Sequence, residues 1–292
     1  MTRRLIVTAD DFGAADAVND AVETAHRDGV LTAASLMVGA RGAADAVARA
    51  KRLPRLRVGL HLVLVEGRPT LPAAQVSHLV GVDGLFRTDM ARAGATMFFH
   101  PVARRQLAAE IDAQFAAFAA TGLVMDHVNA PKHFHLHPTI AGLILKIGAR
   151  YGLTAARVPL EPRGVIARIE GRAVRADPLF DTTAELVRRR FRQAGLIIPD
   201  QVFGLRWSGA MTTQRLNGLI DNLPPGLTEI YLHPATNGDF DGAARGYRYA
   251  DELAALTAPQ VVEAAARAGI LRGGFGDVGT SARAQAAKDA VP

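Results

Sequence analysis

Short apolar runs alternate with longer amphipathic stretches along almost the whole chain, and that alternation is the tightest constraint on its fold. LIVTA is followed by AADAVNDAVETAHRDG, in which Val18, Ala21, Val22 and Ala25 share one helical face and Gly29 can end the helix. LTAASLMVG and VGLHLVL read as strands around a second helix closed by Pro54. PVARRQLAAEIDAQFAAFAATG is the clearest helix, with Leu107, Ile111, Phe115 and Phe118 as its buried stripe and Gly122 as its stop. LVMDHVNA, AARVPLE, EIYL and ILRGGF supply further strands, with helices between them. Repeated strand–helix units demand a parallel sheet covered by helices. Roughly seven of them suit an α/β fold of the distorted, TIM-like (β/α) barrel type better than two domains. An open doubly wound sheet is the second choice, but ADDFGAAD lacks the glycine spacing of a dinucleotide turn. Residues 1–275 thus read as one catalytic barrel domain and 276–292, small and polar, as a flexible tail. Residues 66–100 read as a long irregular loop, and 162–210 give no clear pattern.

Four of the strands end on residues that bind cations or move protons. LIVTA runs into Asp10 and Asp11, VGL into His61, LVMDHVNA into His133, His135 and His137, and EIYL into His233. Strand ends converge at one rim of a barrel, so these distant residues can share a site. Two adjacent carboxylates are not comfortably ionised together without a cation or another partner. In an extended strand they point to opposite faces, so one can bind metal while the other takes a proton. Three imidazoles within KHFHLHP would crowd a single ion, so at least one of them stands behind the ligands. Lys132 beside them either steers an anion or is simply solvated. His233, arriving from the far part of the chain, suits a general acid. Asp126 and His127 either orient neighbours or form a surface pair. His26, His78 and His100 lie in helix-end or loop settings and read as structural.

The chain has no cysteine among its 292 residues, so a metal would have to be held by His, Asp or Glu. One divalent ion, zinc or magnesium, is the cofactor this donor set implies. The composition, 49% hydrophobic and 21% charged, is that of a globular protein. The net charge of +6 fits a solvated arginine-rich surface or an anionic membrane surface. No nucleic-acid-binding signature is present, so nucleic acid is not an expected partner. The apolar run at the N-terminus is too short for a signal peptide, and the expected location is cytoplasmic, with peripheral contact at the inner membrane.

Taken as a set, TADDFG, the GLHL histidine, HFHLHP and the late LHP resemble the YdjC/ChbG-like carbohydrate deacetylases over residues 5 to about 240. That resemblance implies a distorted barrel and metal-dependent removal of an N-acetyl group. It makes Asp11, His61 and His133 the metal ligands, Asp10 the general base and His233 the acid that protonates the departing amine. His135, His137, Lys132 and Arg157 would stand behind the ligands or against substrate, with a helix-packing salt bridge as the other reading of Arg157. Where the chitooligosaccharide enzymes carry an Asp-Ser-His-His-His-x-His run, this chain reads Pro131-Lys132-His133-Phe134-His135-Leu136-His137. NAPKHFHLHPT followed by RVPLEP is most similar to the hopanoid-biosynthesis-associated branch, HpnK, which implies an N-acetylglucosaminyl hopanoid lipid as substrate. Phe98 and Phe99 would suit such a lipid or belong to the core. A chitooligosaccharide deacetylase, a metal-dependent phosphoesterase and a non-catalytic sugar- or lipid-binding protein with a structural metal are the alternatives. The oligomeric state is not legible.

Overall fold

The computed structural model describes residues 2–267 and 269–277. Its parallel sheet contains β1 (Arg3–Phe12), β2 (Ala33–Leu36), β3 (Arg57–His61), β4 (Met125–Asn129), β5 (Gln201–Phe203), β6 (Gly226–Leu232) and β7 (Ile270–Arg272). Between them run α1 (Asp16–Asp28), α2 (Ala43–Arg52), α3 (Met90–Phe99), α4 (Pro101–Ala120), α5 (Pro138–Gly148), α6 (Arg163–Glu170), α7 (Pro178–Gln193), α8 (Thr213–Asp221), α9 (Tyr249–Thr257) and α10 (Pro259–Ala265). The order across the sheet is β4-β3-β2-β1-β6-β5, every pair parallel.

β1 is the axis of this arrangement. Leu5 to Ala9 are fully buried, as a parallel strand covered on both faces requires. β6 runs beside Arg3 to Ala9, whereas its other side is shared: β7 pairs with Arg3–Leu5 and β2 with Thr8–Phe12. β7 therefore fills the splay between β1 and β2. Opposite it, the ring closes through residues 154–160. Ala156 bridges Val128, Ala155 bridges Ile197, and the Val202 N–H donates to the Leu160 carbonyl at 3.0 Å. AARVPLE was expected as a full strand, but it makes only these single bridges. Pro159 and Pro162 have no N–H to continue a ladder. This is the distorted, TIM-like α/β barrel.

The stripes read for α1 and α4 are the buried faces observed. The segment 66–100 is less irregular than expected, since α3 occupies its end, capped by the Asp89 side chain. Its buried face is only Ala93, Gly94 and Met97, while Phe98 and Phe99 point outward, which erases the apolar period.

The N-terminal end of the barrel is plugged by the last described residues. Phe275 is fully buried with Ile6, Ala33, Ala155 and Leu227. The N–H groups of Phe275 and Gly276 donate to the Asp126 carboxylate at 3.0 and 2.9 Å, and Arg57 pairs with Asp277 at 2.6 Å. Gly276 and Asp277 thus belong to the packed body rather than to a tail starting at 276; positions 278–292 lie outside the described residues. Phe275→Ala is expected to lower unfolding free energy by about 3 kcal/mol in urea titration, the usual loss for a buried phenylalanine.

Candidate active site

The C-terminal ends of β1, β3, β4 and β6 surround a cavity of about 650 Å³ whose walls include Asp10, Asp11, His61, Lys132, His133 and His233. Asp10 and Asp11 do not diverge as an extended strand would make them. A β-bulge between Ala9 and Phe12, with Asp11 in the left-handed region at φ 64°, turns both into the cavity. Lys132 and His133 are also left-handed, at φ 51° and 56°. Such backbone strain in residues with side chains concentrates at functional sites.

Asp10 is buried and heavily bonded. Arg157 Nη1 donates to Oδ2 at 2.5 Å and Nη2 to Oδ1 at 3.0 Å. Ser35 Oγ and Asn129 Nδ2 donate to Oδ1 at 3.1 and 3.0 Å. Burial alone would raise the Asp10 pKa, but the Arg157 charge and hydrogen bonds, with His61 and His233, hold it far below the usual carboxylate range. Asp10 therefore stays ionised, and Oδ2, with one protein donor, keeps room to accept a proton from water.

Asn129 also sets the tautomer of His61. Its Nδ2 lies between two acceptors, Asp10 and the Ser35 hydroxyl, so its Oδ1 faces His61 Nδ1 at 2.7 Å and accepts that N–H. His61 Nε2 is then left 3.2 Å from Asp11 Oδ1. A neutral ring would set its lone pair against a carboxylate, so a proton or a cation must lie between them. Two ligands each about 2.05 Å from a tetrahedral zinc ion sit about 3.3 Å apart, close to that separation. His61 is buried, which lowers its pKa, but the hydrogen bond to Asp11 and the charges of Asp10 and Asp11 leave it raised overall.

His133 contributes a second nitrogen donor to the wall. Its Nε2 meets the Tyr231 hydroxyl at 2.9 Å, and its buried Nδ1 has no hydrogen-bond partner. Burial, with His135 and Arg157 nearby, pushes its pKa well below the ordinary value, leaving the neutral imidazole that ligates metals. Among the described residues, no three His, Asp or Glu side chains are already gathered as a cation site. The ready element is the Asp11–His61 pair, and its donor chemistry fits a divalent ion with mixed N and O ligands.

The other candidates separate. His233 lines the cavity, stacked edge-on against Tyr247 at 5.0 Å, with its Nδ1 unpartnered; its backbone N–H is fixed by Glu252 at 2.5 Å. Lys132 stands at the rim, paired with Glu66. His135 and His137 do not reach the cavity. The tight turn around Lys132 and His133 sends the three histidines three ways, rather than along one face. His135 Nε2 donates to the Arg157 carbonyl at 2.9 Å, and burial together with the Arg157 charge holds its pKa at about 3. His137 packs under α3, against Gly94. Arg157 neither touches the cavity nor packs helices: it is fully buried, bridging Asp10 to Glu229 at 2.7 Å. Sequence reasoning missed Ser35, Asn129, Tyr231 and Glu229. A glutamate inside the apolar EIYL run was the available signal, because a charge there must be paired.

Residues 4–267 match the model of the YdjC-like protein family. The chain belongs to that family. A carbohydrate deacetylase of Brevibacillus brevis is 31% identical over 261 residues, 88% of this chain and 92% of that protein. Another from Geobacillus stearothermophilus is 31% identical over 92% of this chain and 96% of its own length. Among solved structures, an Enterococcus faecalis V583 protein named for cellobiose-phosphate cleavage superposes with a TM-score of 0.72 at 24% identity, covering 95% of this chain and 99% of that one, which shows the shared fold. The matched residues 4–267 of this YdjC-like chain contain β2 to β6, nearly all of β1 and every rim residue described above.

The His61–Asp11 pair makes stability depend on pH in metal-free protein. A raised histidine pKa adds stability that is complete below the unfolded value of about 6.5 and is lost as pH rises through the folded value. Urea unfolding of metal-free protein should therefore show a decline as pH rises above about 6.5 that His61→Gln removes, while zinc affinity by calorimetry should rise over the same range as the proton is displaced.

Proposed function

We propose that the protein is a metal-dependent carbohydrate N-deacetylase, hydrolysing the acetamide of an N-acetylglucosamine-bearing substrate. The observation that carries this reading is an ionised Asp10 beside the Asp11–His61 pair in a single cavity. The carbohydrate deacetylases among its relatives support it. Asp11 and His61, with His133, would hold the ion, zinc or magnesium. When bound, a divalent ion acidifies water and polarises a carbonyl.

The chain's own groups do the rest. Asp10 Oδ2 takes a proton from the attacking water. Because Arg157 disfavours the protonated form, Asp10 gives the proton up readily. His233 faces the leaving side and donates a proton to the amine. Phe180, Tyr247 and Phe240 in the walls offer flat apolar faces of the kind that pack on sugar rings.

The finer substrate is a hopanoid-linked N-acetylglucosamine taken at an anionic membrane surface. Phe98 and Phe99 support this reading: they are 47% and 78% exposed at the end of α3. Arg92, Arg104 and Arg105 are exposed on the same corner and carry no acidic partner among the described residues. Among the described residues no helix is long and apolar enough to cross a membrane, so contact at this corner would be peripheral.

Acetate release should be measured from an N-acetylglucosaminyl hopanoid in anionic vesicles and from N,N′-diacetylchitobiose, with zinc and with chelator. Turnover is expected on the glycolipid and its loss with chelator. Asp10→Asn should lower kcat by at least about 100-fold with metal retained, as for loss of a general base; His61→Ala should lose metal itself. Full turnover by Asp10→Asn would remove the base assignment. Turnover on N,N′-diacetylchitobiose alone would remove the lipid substrate.

A further inference from the structure

Below Asp10 a second chain of buried polar groups runs down the barrel to its plugged end. Ser35 Oγ donates to Asp10 Oδ1 and accepts from Asn129 Nδ2 at 2.8 Å. Its hydrogen is thereby committed upward, toward Asp10. His127 Nε2 lies 3.1 Å from the same oxygen, so the ring must donate into the remaining lone pair. On the other side, His127 Nδ1 stands 3.1 Å from Asp126 Oδ2. Asp126 is itself pinned by the backbone N–H groups of Phe275 and Gly276.

The ring has no freedom to turn. Phe275 stacks on it with centroids 4.3 Å apart and planes 22° apart. Across from Phe275, β3 passes so close that a Cβ on Gly59 would lie 2.5 Å from the imidazole. A glycine in a buried strand marks such a close approach. His127 itself is fully buried. An apolar residue would fill this space without the expense of burying an imidazole and a carboxylate.

We propose that His127, oriented by Asp126 and clamped between Gly59 and Phe275, is a positioning residue for Asp10, acting through the Ser35 hydroxyl. By donating into Ser35, the ring prevents that hydroxyl from turning away, and so fixes the donor that keeps Asp10 Oδ1 occupied and Oδ2 turned to the cavity. The position of the reacting carboxylate is thereby set partly from the opposite end of the barrel, by residues that never meet substrate. The inference rests on Asp10 being the reacting carboxylate of the deacetylase proposed above.

Two measurements test it, one independent of activity. In protein labelled with ¹⁵N-histidine, the His127 Nε2 resonance should shift on Asp10→Asn, and that shift should vanish when Ser35→Ala is already present. An unmoved resonance, or the same shift without Ser35, overturns the proposal even if no substrate is found. On any N-acetylated sugar that the wild type deacetylates, Ser35→Ala and His127→Leu should each lower kcat by on the order of tenfold to 100-fold, with KM little changed. The double variant should be no slower than the worse single one. His127→Gln, whose amide nitrogen can replace Nε2–H, should recover most of kcat. Ser35→Ala at wild-type rate, additive losses, or equal losses in His127→Gln and His127→Leu would show a purely structural role. A wild type that releases no acetate defeats the deacetylase reading and leaves the resonance measurement to decide the coupling.

Discussion

Arg157 is buried in the barrel interior between Asp10 and Glu229, and the site is organised around it. Its guanidinium gives Asp10 two hydrogen bonds and Glu229 Oε1 two more, and its Cζ lies 4.3 Å from the centre of the Tyr231 ring. Thr8 adds a further donor to Glu229 at 2.8 Å. Removing one member of a buried ion pair typically costs about 3–5 kcal/mol, because the charge left behind has no compensation. Those residues come from β1, β6 and the segment closing the ring, so the interaction ties the two halves of the barrel together. It also keeps a carboxylate ionised in a place where burial alone would neutralise it. His135 then has a clear purpose, since it fixes the Arg157 carbonyl and so the height of the guanidinium.

Around that fixed centre, three of the groups facing the cavity sit on backbone that departs from regular structure. Asp11 leaves β1 at a bulge, and Lys132 and His133 adopt left-handed conformations in the turn after β4. The frame below is buried and tightly paired, while the rim is strained and polar. This division lets a stable parallel barrel leave polar nitrogens without protein partners, the Nδ1 atoms of His133 and His233 among them.

The barrel was legible in the sequence because its strands are apolar runs and most of its helices carry a clean stripe. α3 was not, because its exposed Phe98 and Phe99 disguise the period. α6 and α7 were hidden by arginine-rich faces with few buried residues. The residues that meet in the cavity were readable from their places at strand ends: Asp10, Asp11, His61, His133 and His233. What they do there depends on partners the sequence does not pair. Nothing in RVPLEP says that Arg157 turns inward to Asp10, because the pairing spans 147 residues and arises only when the ring closes. Nor does DHVN reveal that Asn129 fixes the His61 tautomer, or that Asp126 and His127 are interior rather than a surface pair.

The claim beneath the whole account is that Asp10 is held as an anion by Arg157. Carboxyl ¹³C resonances of aspartate-labelled protein, with Asp10 assigned from the signal lost in Asp10→Asn, test it directly. Asp10 should keep an ionised shift throughout the range in which ordinary aspartates titrate, around a pKa of about 3.9. An Asp10 signal that titrates inside that range, or above it, would contradict the account.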